Sequence, residues 1–430
     1  MIAVSSAIIM LACQTLSNPT LIPSAIAPPK IDRPTAASPT MTIETQPAIK
    51  PSPIAIMTSG GNELPETLVY LLEDHSLVFM RNGETDMTAT MAGGFSSWLD
   101  LNAAAKRMTI VQNAVYVPIL KPEHAIRGEL GIFSINADGA EQFFSVPAEY
   151  ATGASLVDVL PSADGEWFAW LLDTTKIPPS LTSDQVCEAS AGCIGREYLL
   201  LVSSRSGGEI VMQYPLVLGD PYPFLLIDSW QEDSSAIFLR RVPWMVASPL
   251  YQAEGGGIYE ISVPAANLVE RGDDYLNSES HASPNGAWMV DEAVGEGEWI
   301  LVAASSAGAT LVVPPPASGY HLTQESTFSP SSEYIVWLEL QVNNEDWSTV
   351  QGIEIRRMDL SNGEVKTLTT IIGPISSEEL PFTGPWLSGN LLVIHEIHQN
   401  RVLDTNTGDW IALPPPQALA SWAVVGGIGQ

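Results

Sequence analysis

Pro161-Ser162-Ala163-Asp164-Gly165-Glu166-Trp167-Phe168-Ala169-Trp170 couples a short polar turn to an alternating strand, and the same unit returns twice further along the chain. The later copies are Ser283-Pro284-Asn285-Gly286-Ala287-Trp288-Met289-Val290 and Ser329-Pro330-Ser331-Ser332-Glu333-Tyr334-Ile335-Val336-Trp337. A turn followed by period-two alternation is the pattern of a half-buried antiparallel strand. A second unit, a strand running into a tight turn, recurs as Ile132 to Gly139, Ile355 to Gly363 and Arg401 to Gly408. Repeats of a few tens of residues built only from strands predict a β-propeller, whose blades bury one another's faces.

Working outward, the strand runs give about seven units. The first holds Leu68 to Leu72 and Leu77 to Met80, turning at Asn82-Gly83; the second runs from Trp98 through Met108 to Gln112 and then Gly131 to Ile135, turning at Asp138-Gly139. The third begins at Val157 and reaches Gly207-Gly208, and the fourth carries Leu225 to Trp230, Ala236 to Leu239 and Gly257 to Ser262. The fifth holds Ala287 to Val290 and Trp299 to Ala303, the sixth Ser326 to Thr369, and the seventh Trp386 to Leu413. The fold class expected is therefore all-β, a single β-propeller of about seven four-stranded blades, with six or eight compatible with the same pattern. Ser421-Trp422-Ala423-Val424-Val425 is expected to pair into the first or last blade and seal the ring. Helix signals are confined to one turn near Leu101 to Lys106. The 12 Trp residues sit largely in the strand runs, as packing between blades rather than as a carbohydrate platform.

Hydrophobic residues make up 45% of the 430-residue chain and charged residues 16%, the balance of a folding sequence rather than a disordered one. The formal charge is −31, from 49 Asp+Glu against 18 Lys+Arg. That excess repels phosphate backbones and anionic lipid surfaces, so nucleic acid is excluded as a partner. The acidity reads as solubility or adaptation to a cation-rich medium; a surface that collects divalent cations or basic partners is the alternative.

At the amino end, Met1 to Ala12 is an apolar run too short to span a bilayer but suited to the core of a secretory signal. Met10-Leu11-Ala12-Cys13 resembles the bacterial lipobox, which implies lipidation at Cys13. Residues 14–62 form a Pro-, Thr-, Ser- and Ala-rich stretch without strand pattern, read as a disordered stalk. The layout expected is a signal over residues 1–13, a linker over 14–62 and the propeller over 63–430. Such a protein would be exported and held off the outside of a bacterial cytoplasmic membrane, touching it through the lipid anchor alone. Cys187 and Cys193, with five residues between them in an inserted loop, read as a loop-stapling disulfide; two free thiols or, less readily, a metal pair are the alternatives.

The opening turns resemble the repeats of the TolB-like and WD40-like propellers of bacteria, where Ser-Pro-Asp-Gly precedes an aromatic residue and an alternating strand. Ser162 to Trp167 and Ser283 to Trp288 match best, and Ser329 to Trp337 is a looser copy. The resemblance implies a propeller over roughly Leu64 to Leu413. It carries over no functional residue, because Pro and the Asp-Gly or Asn-Gly pair serve the turn. Asp404 to Trp410 is similar to one repeat of the quinoprotein-type propellers.

A search for chemistry returns little. Ser162-Ala163-Asp164-Gly165 breaks the Asp-box spacing of sialidases, and no Gly-x-Ser-x-Gly nucleophile turn is present. His395-Glu396-Ile397-His398 lacks the zinc-protease spacing, so both histidines are expected at the surface or in packing. Asp273-Asp274 and Glu378-Glu379 read as solvated loop charge rather than a cation site, and Gly255-Gly256-Gly257 lacks the Lys of a phosphate loop. The function expected is a non-catalytic, monomeric surface propeller that binds a protein, peptide or glycan through one face or its funnel, with no cofactor. The alternative is an extracellular glycoside hydrolase or lyase with carboxylates converging at the funnel from different blades. A purely structural envelope component is a third reading.

Overall fold

The structure is a computed structural model that describes residues 63–74, 76–90, 104–120, 130–176, 196–206, 209–218, 224–242, 258–271, 280–295, 298–313, 320–343, 346–376, 379–396, 399–414 and 422–428. Cys13, Cys187, Cys193, the linker over 14–62, Asp273, Asp274, Glu378 and His398 lie outside them. The described residues form seven four-stranded antiparallel sheets. Blade 1 holds β1 (Thr67–Leu72), β2 (Ser76–Arg81) and β3 (Glu84–Thr90). Blade 2 holds β4 (Thr109–Val111), β5 (Ala114–Ile119), β6 (Gly131–Asn136) and β7 (Glu141–Ser145). Blade 3 holds β8 (Ser155–Pro161), β9 (Trp167–Asp173), β10 (Arg196–Ser204) and β11 (Ile210–Leu218). Blade 4 holds β12 (Phe224–Trp230), β13 (Ala236–Val242), β14 (Ile258–Ser262) and β15 (Leu268–Arg271). Blade 5 holds β16 (Ser280–Ala282), β17 (Trp288–Gly295), β18 (Glu298–Ser305) and β19 (Thr310–Val312). Blade 6 holds β20 (Tyr320–Phe328), β21 (Tyr334–Asn343), β22 (Asp346–Asp359) and β23 (Val365–Ser376). Blade 7 holds β24 (Phe382–Trp386), β25 (Leu391–Glu396), β26 (Gln399–Asp404) and β27 (Trp410–Ala412).

The closing strand, β28 (Trp422–Ile428), pairs antiparallel with β1 and completes blade 1 from the far end of the chain. The ring is thereby sealed within the first blade, as the terminal Trp-Ala-Val-Val run led us to expect. The inner strands β28, β4, β8, β12, β16, β20 and β24 touch in that order and return to β28. Seven is the blade count.

The recurrent turn explains why the repeat is legible. In blade 3, Ser162 Oγ accepts from Trp167 N at 3.0 Å, Asp164 Oδ1 accepts from Glu166 N at 3.0 Å, and Gly165 takes a φ of 72°. In blade 5, Ser283 Oγ accepts from Trp288 N at 2.9 Å, Asn285 Oδ1 from Ala287 N at 2.9 Å, and Gly286 has a φ of 67°. The serine satisfies the first amide of the next strand, and glycine supplies the left-handed conformation. Blade 4 carries a further copy that the sequence disguises. Gln231 stands for the serine, and Ser234 takes the left-handed position at a φ of 59°.

Packing follows the ring. Among the described residues there are seven clusters of buried apolar side chains, each lying between neighbouring blades. Trp170 and Trp337 are fully buried, and Trp230 of blade 4 donates from Nε1 to Leu160 O of blade 3 at 3.2 Å. These tryptophans are wedges between blades, as their place in the strand runs implied.

Candidate functional site

The inner strands of five blades surround a cavity of about 390 Å³ on the ring axis. Its wall includes Ile227, Asp228 and Ser229 on β12, His281 and Ala282 on β16, Ser326 to Phe328 on β20, Thr383 to Pro385 on β24 and Val425 on β28. The short helical turn before β4 adds Ala105, Lys106 and Arg107. Two residues from second strands also reach it: Arg240 on β13 and His395 on β25. A further cavity, of about 420 Å³, lies among the turns of blades 1 and 2. The axial cavity is the candidate site, because buried ionisable groups from several blades converge there.

His395 reaches the axis through a gap left by Gly384. A Cβ at that position would sit 2.5 Å from His395 Nε2, so only a strand residue without a side chain admits the imidazole. Nδ1 of His395 is hydrogen-bonded to Asn400 Oδ1, and Asn400 Nδ2 donates to Trp422 O at 2.6 Å. With the amide nitrogen so engaged, the assigned Asn400 orientation leaves its oxygen to accept, and His395 carries its proton on Nδ1. Burial holds the imidazole neutral, with its pKa lowered to about 4, and the nearby Lys106 charge adds to that, against the Asn400 hydrogen bond. Nε2 is then a bare acceptor, and it has no hydrogen-bond partner among the described residues. Leaving such a nitrogen unsatisfied costs roughly 1–3 kcal/mol. The Phe382 ring lies 5.0 Å from the imidazole, and Lys106 Nζ sits 4.7 Å above that same ring.

Two carboxylates stand on the other side of the wall. Asp158, on the inner strand of blade 3 and 2% exposed, accepts from Arg107 Nη1 at 2.7 Å and from Ile227 N at 3.0 Å. Burial raises its pKa, opposed by the Arg107 charge and these hydrogen bonds. Asp228 lies 3.1 Å from His281 Nδ1 and 3.9 Å from Arg240 Nε. Burial alone would raise Asp228, but the His281 hydrogen bond and charge, Arg240 and the Ala282 N–H together bring it below the ordinary carboxylate range. Of the two, Asp228 lines the cavity and Asp158 lies behind Arg107, outside the lining, and each is engaged by a cation.

The sequence reading placed His395 at the surface or in packing. It is a packing residue, 1% exposed, and also part of the cavity wall, which that reading missed. The available signal was Thr383-Gly384-Pro385, a glycine inside a strand. Arg107, Asp158, Asp228, Arg240 and His281 were not singled out, since no local motif joins residues from different blades. Among the described residues no group of three His, Cys, Asp or Glu side chains is placed to hold a metal ion.

No protein-family model matches the chain, and no curated protein is similar to it in sequence. Solved structures do resemble it. A protein described as TolB from Agrobacterium tumefaciens is 12% identical, with 73% of this chain and 92% of that one covered at a TM-score of 0.37. An oligogalacturonate lyase in complex with manganese is 8% identical, with 74% and 78% covered at a TM-score of 0.44. A puromycin-hydrolysing peptidase of Mycobacterium tuberculosis is 13% identical, with 84% and 55% covered at a TM-score of 0.44. At these identities the likeness concerns the fold, and the propeller assignment rests on the sheet topology itself.

Proposed function

We propose that this protein is a non-catalytic, envelope-anchored β-propeller that takes its ligand, a protein, peptide or glycan, at the axial cavity. The observation that carries the reading is the commitment of both funnel carboxylates. Arg107 holds Asp158 behind the cavity wall, and His281 with Arg240 holds Asp228 in it, so each carboxylate is already ion-paired. A cavity walled by several blades, with polar groups set among apolar ones, is the usual form of a ligand site. The anchor follows from the lipobox-like Met10 to Cys13 and the proline-rich stalk.

The alternative, a hydrolase or lyase, draws on one observation. Asp158 and Asp228 shift in opposite directions within one funnel, which is how an acid and a base are set apart. Against it, the Asp158 side chain is only 3% exposed behind Arg107.

The test incubates the full chain and an Arg240→Ala variant with peptide and glycan arrays, and follows bound species by mass spectrometry for cleavage. Retention by the wild type, loss in the variant and no product support the reading. Turnover of a retained glycan, abolished by Asp228→Asn, would establish the enzyme instead. The anchor is tested separately, by whether Cys13→Ser moves the protein from membrane to soluble fraction.

A further inference from the structure

Asparagine followed by glycine occurs three times in the chain, as Asn82-Gly83, Asn285-Gly286 and Asn362-Gly363. All three are turns whose glycine takes a positive φ, of 82°, 67° and 72° in that order. The pair is a reactive context for asparagine, because glycine has no side chain to keep its amide nitrogen away from the neighbouring side-chain carbonyl. The three sites share that chemistry and differ in how the fold holds the two reacting atoms.

At Asn285 the side-chain oxygen accepts from Ser283 Oγ at 2.9 Å and from Ala287 N at 2.9 Å, and Gly286 N donates to Ser283 O at 2.8 Å. At Asn362 the side-chain oxygen accepts from Glu364 N at 2.8 Å, and Gly363 N donates to Asp359 O at 2.8 Å. In both turns the electrophile and the nucleophile are tied to other groups. Asn82 is different. Its side chain is exposed, and among the described residues neither its side-chain amide nor Gly83 N makes a hydrogen bond. Asn82-Gly83 forms the two-residue loop between β2 and β3, with φ values of 52° and 82° as in a type I′ turn. Because β3 is the outer strand of blade 1, this end of the hairpin opens locally while the ring stays closed.

We propose that Asn82 is a self-modification site, the asparagine that the folded chain converts to aspartate and isoaspartate ahead of the others. Gly83 N attacks Asn82 Cγ, and the new N–Cγ bond closes a five-membered imide. The Cγ–Nδ2 bond breaks, and ammonia leaves with the proton from Gly83. Water then opens the imide at either carbonyl, giving aspartate by one route and isoaspartate by the other. Either product sets a new carboxylate beside Arg81, which already pairs with Glu66 at 4.0 Å and Asp86 at 3.4 Å. Isoaspartate also lengthens the backbone within the tight loop. A Cβ on Gly83 would lie 3.9 Å from Pro414 Cβ, and Pro414 O accepts from Tyr70 Oη at 2.9 Å. The change therefore falls beside the segment that leads to the closing strand.

The test incubates the folded full chain at mildly alkaline pH beside a sample unfolded in urea, and follows the three asparagines by peptide mapping with fragmentation. In urea all three should convert at similar rates, since glycine follows each. In the folded chain Asn82 should convert roughly tenfold or more faster than Asn285 or Asn362, where several hydrogen bonds must open first. Asn82→Gln, whose longer side chain needs a six-membered ring, should remove the product seen in the folded chain. Aged wild type should melt below Asn82→Asp, which carries the new charge on a backbone of ordinary length. Conversion led by Asn285 or Asn362, or equal at the three sites, overturns the assignment. An Asn82 that stays intact while the unfolded chain converts overturns it too. Equal melting temperatures for aged wild type and Asn82→Asp would overturn the effect assigned to the longer backbone.

Discussion

Asp228 Oδ1 and His281 Nδ1 meet at 3.1 Å across the seam between blades 4 and 5. Among the described residues that seam holds four buried apolar side chains, Phe238, Ile258, Ala282 and Met289, whereas the others hold nine or more. The polar pair is thus both part of the cavity wall and a tie across this joint. The neighbouring turns add backbone ties, with Glu232 N donating to Pro284 O at 2.8 Å.

A double-mutant cycle measures the tie. Asp228→Ala leaves His281 and Arg240 without their shared carboxylate and should cost roughly 1–3 kcal/mol, discounted because the His281 side chain is 24% exposed. Asp228→Ala and His281→Ala together should cost less than the sum, by about 1 kcal/mol. Urea unfolding of the four proteins gives the coupling. Strict additivity would mean that the seam is held by its apolar residues alone.

Acid should act on this fold through His395 before Asp228. The imidazole pKa falls from its ordinary value near 6.5 to about 4 on folding, so the unfolded chain takes up the proton first. The stability this residue contributes is complete above pH 6.5 and is lost as pH falls from there toward about 4. Asp228 is depressed, so its contribution stands above the ordinary carboxylate value and is lost only at still lower pH. Between pH 7 and 5 the melting temperature should fall in the wild type and fall less in His395→Asn, by a difference on the order of 2 kcal/mol at pH 5. Parallel curves for the two proteins would show that His395 does not titrate in this window.

Gly384→Ala tests the gap through which His395 reaches the axis. The new Cβ would lie 2.5 Å from Nε2 and 3.1 Å from Val393 Cβ, so the imidazole must move or the strand must shift. A loss of roughly 1–3 kcal/mol is expected, as for other overpacked sites. Full stability would mean that the two strands part easily here and that the glycine serves no purpose.

The architecture was legible in the sequence because each blade repeats the same local solution. Serine meets the first strand amide and glycine holds a left-handed turn, as at Ser162-Gly165 and Ser283-Gly286. Blade 4 hid its copy because Gln231 and Ser234 stand where serine and glycine stand elsewhere, while the backbone bonds from Gln231 N to Ala236 O and from Ser234 N to Gln231 O keep the turn. The strand Ala114–Ile119 went unread because Pro118 interrupts an apolar run that is otherwise plain. The cavity was not legible at all. Asp158, Asp228, His281 and His395 come from four blades and are 237 positions apart at the extremes, as 395 minus 158. Only ring closure makes them neighbours. The hydrogen-bond partner of His395 is Asn400 on the next strand, a pairing no local spacing announces.

The disguised turn in blade 4 offers a stabilising change. Ser234 holds a φ of 59°, and its buried Oγ has no hydrogen-bond partner among the described residues. Ser234→Gly relieves a left-handed conformation that costs an L-residue about 1–2 kcal/mol, and it removes the orphan hydroxyl. Greater freedom of the unfolded chain returns about 0.4–1 kcal/mol. A net gain of roughly 0.5–1.5 kcal/mol in urea unfolding is expected. The reciprocal change, Gly165→Ala at a φ of 72°, should lose about 1 kcal/mol, and its Cβ would also approach Val111 Cγ1 at 3.1 Å. Opposite signs from the two substitutions would establish that blades 3 and 4 share one turn despite their different sequences.

The closing strand provides the most severe test of the ring. Thr67–Leu72 is buried along its whole length because β28 covers its outer hydrogen-bonding edge toward the axis. The same strand sends Ala423, Val425 and Ile428 into the seam with blade 2, and Val424 into the seam with blade 7. Ending the chain at Pro414 removes all of these at once. The three larger aliphatic side chains alone are worth roughly 1.5–3 kcal/mol each, and β1 is left as a long apolar edge of the kind that pairs with other chains. The truncated protein should therefore melt at markedly lower temperature and self-associate on gel filtration. A synthetic peptide spanning residues 422–428 should restore part of the melting temperature in proportion to its concentration, since it binds the folded ring and not the unfolded chain. A truncated protein that stays monomeric, with its melting temperature unchanged, would mean that the seven blades hold the circle without this strand.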